Sequence, residues 1–412
     1  MPTPPPLPRD ANPSWMGHVQ PQDYRPAPGH FGPAVQPAAP LGGPPGWWGV
    51  PGPAATRRRG GLVWLTFAVT LLAFASLFLV VPPLLASTGP AGFLGGFVAS
   101  LFPLAVVLLT VRVIDRWEPE PKRLLYFAFT WGAAVSIAAT MLLQPLFLVG
   151  AEFPSEAALR TYLVTVQAPI VEESAKGLGL LVLLLAARRH FDGPVDGVVF
   201  AFTIAAGFAF TENILYFGRA IADPVVSGDL AQVFVLRGIM SPFAHAVFTG
   251  TTGLVMGFAA RRGRAWTAVM AFAVGVLPAM FLHNRWNSMG ENFLAEYVLV
   301  QVPLFLAAVA GIVVLRIAEN RLTRQRLLEY AAAGWFTVDE VEMLATTAGR
   351  RAALRWAGGL GRKRQMKEFV AAVTRLANIR QRILSGRDVP LHQAEERLQL
   401  QRVLALRAAV AG

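Results

Sequence analysis

Eight apolar segments of about 20 or more residues each follow one another along the chain, and they constrain its fold more than any other feature. A helix needs about 20 apolar residues to cross a bilayer. The expected spans are residues 62–86, 92–114, 123–149, 163–187, 195–217, 233–259, 265–284 and 293–317. The pattern predicts an all-α, polytopic membrane protein with about eight transmembrane helices.

The composition agrees with an integral membrane protein. Only 15% of the 412 residues are charged, whereas roughly 25% is usual for a soluble domain. The chain contains no cysteine, which excludes disulfides, thiolate metal ligands and cysteine catalysis.

The chain is expected to have three parts. Residues 1–60 are rich in Pro, Gly and Ala and are predicted to be a disordered cytoplasmic segment. Residues 61–317 hold the eight spans, and residues 318–412 are predicted to form a basic, helical cytoplasmic tail. Within the tail, Thr337 and Glu340 have the spacing of a capping box, Gly358-Gly359 should end a helix, and helices are expected at 365–385 and 390–409.

The charges of the tail favour a lipid partner over a nucleic acid. After residue 317 there are 17 Lys and Arg residues against 9 Asp and Glu residues. A basic segment next to a membrane attracts anionic lipids of the cytoplasmic leaflet. Nucleic-acid binding is not expected, because the tail contains no recognisable nucleic-acid-binding module.

The connections between spans predict the orientation of the protein in the cell membrane. Arginine clusters at residues 57–59, 112–123, 188–189, 261–264 and 316–326 fall on alternate connections. The positive-inside rule therefore places both termini in the cytoplasm.

Five ionisable side chains interrupt four successive apolar segments: Glu172, Glu173, Glu212, His245 and His283. Such groups are costly in hydrocarbon and normally mark a functional centre. In the predicted topology all of them lie between the outer surface and the middle of the membrane. We therefore expect them to converge on one site.

The first pair has a lysine one turn further on. Lys176 follows Glu173 by three residues and Glu172 by four, so it can neutralise one of them and leave the other to act as a general base on water. Because the i,i+4 spacing is the better oriented, we expect Lys176 to pair with Glu172 and Glu173 to be the base. An ion pair retained for helix packing is the alternative.

The other motifs supply candidate ligands. Glu212 can bind a metal or orient a histidine by accepting its ring N–H, and Asn213 can donate to an oxyanion or make an interhelical hydrogen bond. His283 and Asn287 are at i and i+4 on one helix face. With His245, they predict a divalent-metal site with ligands His245, His283, Glu212 and Asn287, for which Zn2+ is the first candidate.

These motifs together resemble the PrsW family of intramembrane metalloproteases, distant relatives of the CAAX-prenyl endopeptidases. The matching residues are EExxK at 172–176, FxxxEN at 208–213, His245, HxxWN at 283–287 and the DRWEPEP turn at 115–121. The resemblance implies that Glu173 or Glu172 activates water while His245 and His283 bind a metal or the oxyanion. Where the prenyl endopeptidases have a histidine in the second motif, this chain has Glu212.

The resemblance further implies a substrate that is a membrane-anchored protein, since the family includes a protease of an anti-sigma factor. We expect cleavage near the outer face of the membrane. Two other functions fit the same residues: a proton-coupled transporter, for which the acids and His245 would form a relay, and a non-catalytic membrane scaffold. The sequence specifies neither the individual substrate nor the oligomeric state.

Overall fold

The computed structural model describes residues 59–411, apart from 118, 189, 262–264, 291 and 387–388. The described residues form helices and short connections, with no β-strand among them, so the predicted all-α class is confirmed. The predicted disorder of residues 1–60 falls almost wholly outside the described residues, as do Arg57 and Arg58 of the first arginine cluster.

The described residues divide into two compact units, one ending at Leu315 and one beginning at Arg316. The helices up to this boundary are α1 (Arg59–Ile114), α2 (Lys122–Thr130), α3 (Ile137–Leu143), α4 (Glu156–Tyr162), α5 (Ala168–Ala186), α6 (Pro194–Ala222), α7 (Pro224–Ser227), α8 (Leu230–Phe234), α9 (Ala244–Ala260), α10 (Ala265–Asn287), α11 (Phe293–Glu296) and α12 (Val302–Ala332), which crosses it. Short π-helical segments at Trp131–Ser136, Leu163–Gln167, Val235–Met240 and Tyr297–Gln301, and a 3-10 segment at Gln144–Leu148, lie between them.

Six helical stretches of the described chain are long and apolar enough to cross a membrane: Thr70–Ile114, Lys122–Leu148, Pro194–Ala222, Leu230–Ala260, Trp266–Asn287 and Phe293–Ala332. The first contains both of the first two expected spans and is kinked at Gly89, whose φ of +63° suits glycine. The expected span at 163–187 contains α5, which carries Glu172, Glu173 and Lys176 and is not among the six. The number eight therefore stays a prediction.

The outer surfaces of these helices are apolar. Leu277 and Phe281 on α10 are each 62% exposed, as is Val314 on α12. Contiguous exposed apolar side chains are unfavourable in water and favourable in lipid. The structure is that of a multi-pass membrane protein.

Helix α6 is the centre of the first unit. It packs against α1, α2, α9 and the segment Trp131–Ser136, and 78% of its most apolar stretch is buried. Its aromatic residues Phe200 and Phe208 are both 1% exposed. Because α6 is surrounded on most sides, a charged residue near its end must find partners on neighbouring helices.

Two glycines allow α6 and α9 to approach closely. A Cβ atom added to Gly197 would lie 2.0 Å from the carbonyl oxygen of Gly253, and one added to Gly253 would lie 2.2 Å from that of Gly197. Such small residues let the backbones of two membrane helices touch. The separation of α6 and α9 is therefore set by backbone contact.

The second unit is built from the end of α12 and four more helices. These are α13 (Val338–Ala345), α14 (Thr347–Gly359), α15 (Lys363–Leu384) and α16 (Val389–Ala411). The predicted capping box is confirmed, because the Glu340 N–H donates to Thr337 Oγ1 and the Thr337 N–H donates to the Glu340 carboxylate. The predicted end of a helix at Gly358-Gly359 and the two last helices are also confirmed.

Candidate active site

Four helices bring the predicted ionisable residues together. Helix α5 carries Glu172 and Glu173, α6 carries Glu212, α9 carries His245, and α10 carries His283. The two imidazole rings face each other with centroids 5.1 Å apart, and each carboxylate lies within 4 Å of a ring nitrogen or of Lys176. The predicted convergence of these side chains is confirmed.

Glu173 is completely buried, and both of its oxygens accept hydrogen bonds. Its Oε1 lies 2.7 Å from Lys176 Nζ and 3.0 Å from His283 Nδ1, and its Oε2 accepts from Thr249 Oγ1 at 2.8 Å. Charge-assisted bonds of this kind hold a buried carboxylate firmly. Glu173 therefore joins α5 to α9 and α10.

Lys176 forms ion pairs with both glutamates, but its shorter contact is with Glu173 rather than with the expected partner, Glu172. Lys176 Nζ lies 3.5 Å from Glu172 Oε2, which is farther than its distance to Glu173. The preference for i,i+4 pairs comes from solvated helices, where no other residue competes. In this buried site the contacts of Glu173 with His283 and Thr249 decide the geometry, and Glu172 Oε2 has no hydrogen-bond partner.

The partners of the two histidines assign their tautomers. His245 Nδ1 lies 3.1 Å from the Lys176 ammonium, which can only donate, so the ring proton is on Nε2 and faces Glu212 Oε2 at 2.8 Å. His283 Nδ1 faces Glu173, which accepts its proton, so His283 Nε2 carries a lone pair. This nitrogen lies 3.9 Å from Glu172 Oε2.

Three of these residues can hold a metal ion. One ligand atom each from Glu172, His245 and His283 lies within 4.8 Å of the others. The unpartnered oxygen of Glu172 and the free nitrogen of His283 are of the ligand types that zinc prefers. The site has three carboxylates against the two basic side chains of Lys176 and Arg237, and this excess of acidic groups favours a bound cation. The residues fit a divalent cation.

The other two expected metal ligands have different partners. Glu212 accepts from His245 and pairs with Arg237 NH2 at 2.6 Å, so it has the second role expected for it, that of orienting a histidine. Asn287 donates from Nδ2 to the carbonyl of Val164 at 2.8 Å and ties α10 to the segment before α5. Glu212 does not lie in the group formed by Glu172 and the two histidines.

Arg237 is a site residue that the sequence reasoning missed. Its guanidinium binds Glu212, its Nε donates to Asn213 Oδ1 at 2.8 Å, and it lies 3.8 Å from the ring centroid of Tyr216. Asn213 was expected either to donate to an oxyanion or to make an interhelical hydrogen bond, and its oxygen accepts a hydrogen bond from Arg237. An arginine within the apolar segment 233–259 was itself a signal, since charged residues in membrane spans are rarely without function.

Comparison with known proteins gives a consistent assignment. The PrsW family of intramembrane metalloproteases matches residues 120–312. Protease PrsW of Clostridioides difficile is 32% identical over 158 residues, which are 38% of this chain and 63% of that protein. Protease PrsW of Geobacillus kaustophilus is 26% identical over 193 residues, or 46% of this chain and 76% of that protein.

A third relative, Protease PrsW of Bacillus subtilis, is 25% identical over 160 residues, which are 39% of this chain and 65% of that protein. No solved structure matches the chain. The matched family segment contains every residue of the site described above. Residues 120–312 of this chain are therefore similar to the PrsW family of intramembrane metalloproteases.

Proposed function

We propose that the protein is an intramembrane endopeptidase that hydrolyses a peptide bond of a membrane-anchored protein. The observation that carries this proposal is the grouping of Glu172, one oxygen of which has no hydrogen bond, with two imidazole rings in a buried site. A buried carboxylate oxygen without a hydrogen-bond partner is costly. It is accounted for if water, substrate or a cation binds there during the reaction.

Glu172 is the acid best placed to accept a proton from water. Its side chain is 10% exposed, whereas that of Glu173 is 0% exposed and fully engaged. We therefore assign general-base chemistry to Glu172. Glu173 is a positioning residue that holds His283 through Nδ1, as carboxylates commonly do for histidines that bind a metal through the other ring nitrogen.

His245 and His283 present lone pairs, which suits a cation better than an oxyanion. His245 and His283 would hold a metal ion, with zinc the first candidate, and Glu172 lies close enough to accept a proton from water beside that ion. When bound, such an ion lowers the pKa of water and polarises a peptide carbonyl. Because Lys176 Nζ contacts His245 Nδ1, binding there requires the ammonium to withdraw toward Glu173.

The topology of the proposed enzyme follows from the arginine clusters. Both termini are cytoplasmic and the site lies in the outer half of the membrane, so the scissile bond is near the outer face. The substrate class is a membrane-anchored regulator, such as an anti-sigma factor. Reporter fusions after Trp117 and Arg321 should report cytoplasm, and fusions after Ser155 and Ser288 the opposite side; the reverse result would place the site in the inner half.

The basic tail is proposed to bind anionic lipid. Five basic residues of the tail are exposed and have no acidic partner among the described residues: Arg351, Arg355, Lys363, Lys367 and Arg375. The full chain should bind phosphatidylglycerol vesicles more tightly than neutral ones, with an advantage that falls as salt rises. Equal binding to both vesicles would contradict this role.

The decisive experiment compares membranes that contain the wild-type chain with membranes that contain Glu172→Gln. Fragments cut next to a membrane span should accumulate only with the wild type, and the purified wild type should carry a divalent metal that His283→Ala loses. Proton uptake into vesicles without any new fragment would instead identify a transporter. Neither fragments nor uptake would identify a scaffold.

A further inference from the structure

An apolar cavity of about 320 Å³ lies in the first unit beside the candidate active site. Its walls come from α1, from the break between the segment Val235–Met240 and α9, from the end of α10, and from the start of α12. Its size is that of the smaller ligand pockets in proteins.

One side chain separates the cavity from the site. Phe248 lines the cavity and is 1% exposed, and its ring stacks on the imidazole of His283 with centroids 5.2 Å apart. Ala244 and Val247, which flank His245 along α9, also line the cavity. A group bound against Phe248 in the cavity would thus have the ring of this residue between itself and His283.

The helix break opens the wall of the cavity. Pro242 has no N–H with which to continue a helix, and α9 begins only at Ala244. The carbonyl of Met240, just before the break, accepts a hydrogen bond from the Tyr297 hydroxyl at 2.8 Å. This bond holds the broken backbone against the segment that precedes α12, so the cavity is a built feature of the bundle.

The residues that line the cavity suit an uncharged peptide segment with an apolar side chain. No charged side chain is among the lining residues of the described chain. Gln301 also lines the cavity, and within the part of the chain that the structure describes its amide has no hydrogen-bond partner. An amide at the edge of an apolar pocket can bind the backbone of an extended peptide.

We propose that this cavity binds a large apolar side chain of the substrate, such as Phe or Leu, next to the scissile bond. The inference rests on the proposed peptidase function and adds its side-chain preference. The continuity with His283 through Phe248 and the free amide of Gln301 favour a polypeptide over a lipid acyl chain, which has no backbone to pair with the amide.

The test uses membrane-anchored reporters that differ only in the residue beside the cut: Phe, Leu, Ala or Asp. The purified full chain should cleave the Phe and Leu reporters about 10- to 100-fold more efficiently than the Ala reporter. Val106→Trp, which fills the cavity from α1, should raise KM for the Phe reporter by about 10-fold and leave the Ala reporter unchanged.

The matched control is Val113→Trp, the same substitution on the same helix at a residue that is 70% exposed and outside the cavity. It should leave all four reporters unaffected. Equal losses for every reporter with Val106→Trp, or no loss with any, would overturn the proposal. Thermal unfolding of both variants checks that they fold.

A binding measurement separates this inference from the peptidase function. Because the chain has no cysteine, Ile239→Cys places a single thiol in the cavity wall of the Glu172→Gln variant. The Phe reporter should slow alkylation of that thiol by N-ethylmaleimide, and the Ala reporter should not. Protection by lipid alone, with no effect of any reporter, would show that an acyl chain is the occupant and refute the proposal. Absence of cleavage by the wild type, together with protection by Phe, would refute only the peptidase function.

Discussion

Glu172 in the first unit and Glu396 in the second are both buried, and each has one carboxylate oxygen without a hydrogen-bond partner. Glu396 Oε1 accepts from the Tyr330 hydroxyl and lies 3.9 Å from Arg380 NH1. The Tyr330 hydroxyl thus donates to Oε1, and Arg380 Nε donates to Glu329, so neither donates to Glu396 Oε2. An unpartnered buried oxygen is thus not enough to define a site.

What distinguishes Glu172 is the chemistry and space around it. His283 presents a free ring nitrogen 3.9 Å away, and a cavity begins one aromatic ring beyond that histidine. The one histidine a turn before Glu396, His392, contacts Glu395 through Nδ1. Buried charge in the second unit is part of a network of hydrogen bonds and ion pairs, whereas in the first unit it lies near an apolar cavity.

The strongest way to break this comparison is to replace each glutamate by glutamine. Glu172→Gln should lower cleavage by about 10²- to 10⁴-fold, because an amide cannot accept a proton from water. Glu396→Gln should change cleavage by less than about 2-fold, since the residue is assigned no chemical role. Cleavage of one reporter by both purified variants measures the contrast, and similar losses in the two would end it.

Glu173→Gln should separate chemistry from support within the site. It removes the closest ion-pair partner of the buried Lys176 and should lower the free energy of unfolding by about 3–5 kcal/mol, together with most activity. Glu172→Gln should cost less stability than Glu173→Gln, because Glu172 Oε2 has no hydrogen bond to lose and its ion pair with Lys176 is the longer of the two, at 3.5 Å. Denaturant unfolding in detergent gives both values. If the Glu173→Gln variant were stable but inactive and the Glu172→Gln variant were active, Glu173 would be the general base.

Arg237→Gln tests the support given to His245 through Glu212. Loss of the charged partner should cost about 1–3 kcal/mol of stability and weaken the hold on the ring. Ring nitrogen chemical shifts of His245 should then show a mixed tautomer, which Arg237→Lys should partly restore. The control is Arg285→Gln, whose ion pair with Glu296 is 42% exposed on the arginine side and contributes less than about 1 kcal/mol. An unchanged His245 tautomer in Arg237→Gln would show that Arg237 does not help to position His245.

The smallest effect is expected in the second unit and depends on pH. Burial raises the pKa of Glu396 above its usual value of 4.5, so the folded state binds this proton more tightly than the unfolded state does. Stability should fall as pH rises from that value through the raised pKa. Hydrogen exchange of α16 in the full chain should show Glu396→Gln stabilising at neutral pH and not below the ordinary carboxyl pKa.

The surface variant Glu368→Gln, in which the carboxyl group pairs with Arg364 and is 45% exposed, should show little of this dependence. A wild-type stability that rises over the same pH range would contradict the assignment to Glu396.

The site could be predicted from the sequence because its ionisable residues were expected at similar depths in the membrane. Glu172, Glu212, His245 and His283 were expected at one level of the bilayer, and their side chains meet. Hydrocarbon tolerates so few ionisable groups that their positions along the spans carry information about contacts. The capping box at Thr337 was equally readable, because its partners lie three residues apart.

The details that sequence could not supply depend on contacts between helices. The choice of Lys176 between two glutamates is decided by His283 and Thr249, which are far from it along the chain. The role of Arg237 depends on Glu212 and Asn213 one helix away. The break between the first two spans is a kink at Gly89 within α1, which composition alone does not distinguish from a loop.

The contact between Gly197 and Gly253 has a mechanical consequence for the site. Gly197 lies 15 residues before Glu212 on α6, a distance of about 22 Å along a rigid helix. Because the two backbones already touch, a single added methyl group at Gly197 would have to tilt α6 and so swing Glu212 away from His245. The close approach of Gly197 and Gly253 therefore fixes the orientation of α6, and with it the position of Glu212. The contact between Glu212 and His245 thus depends on a glycine about four helical turns away that takes no part in it.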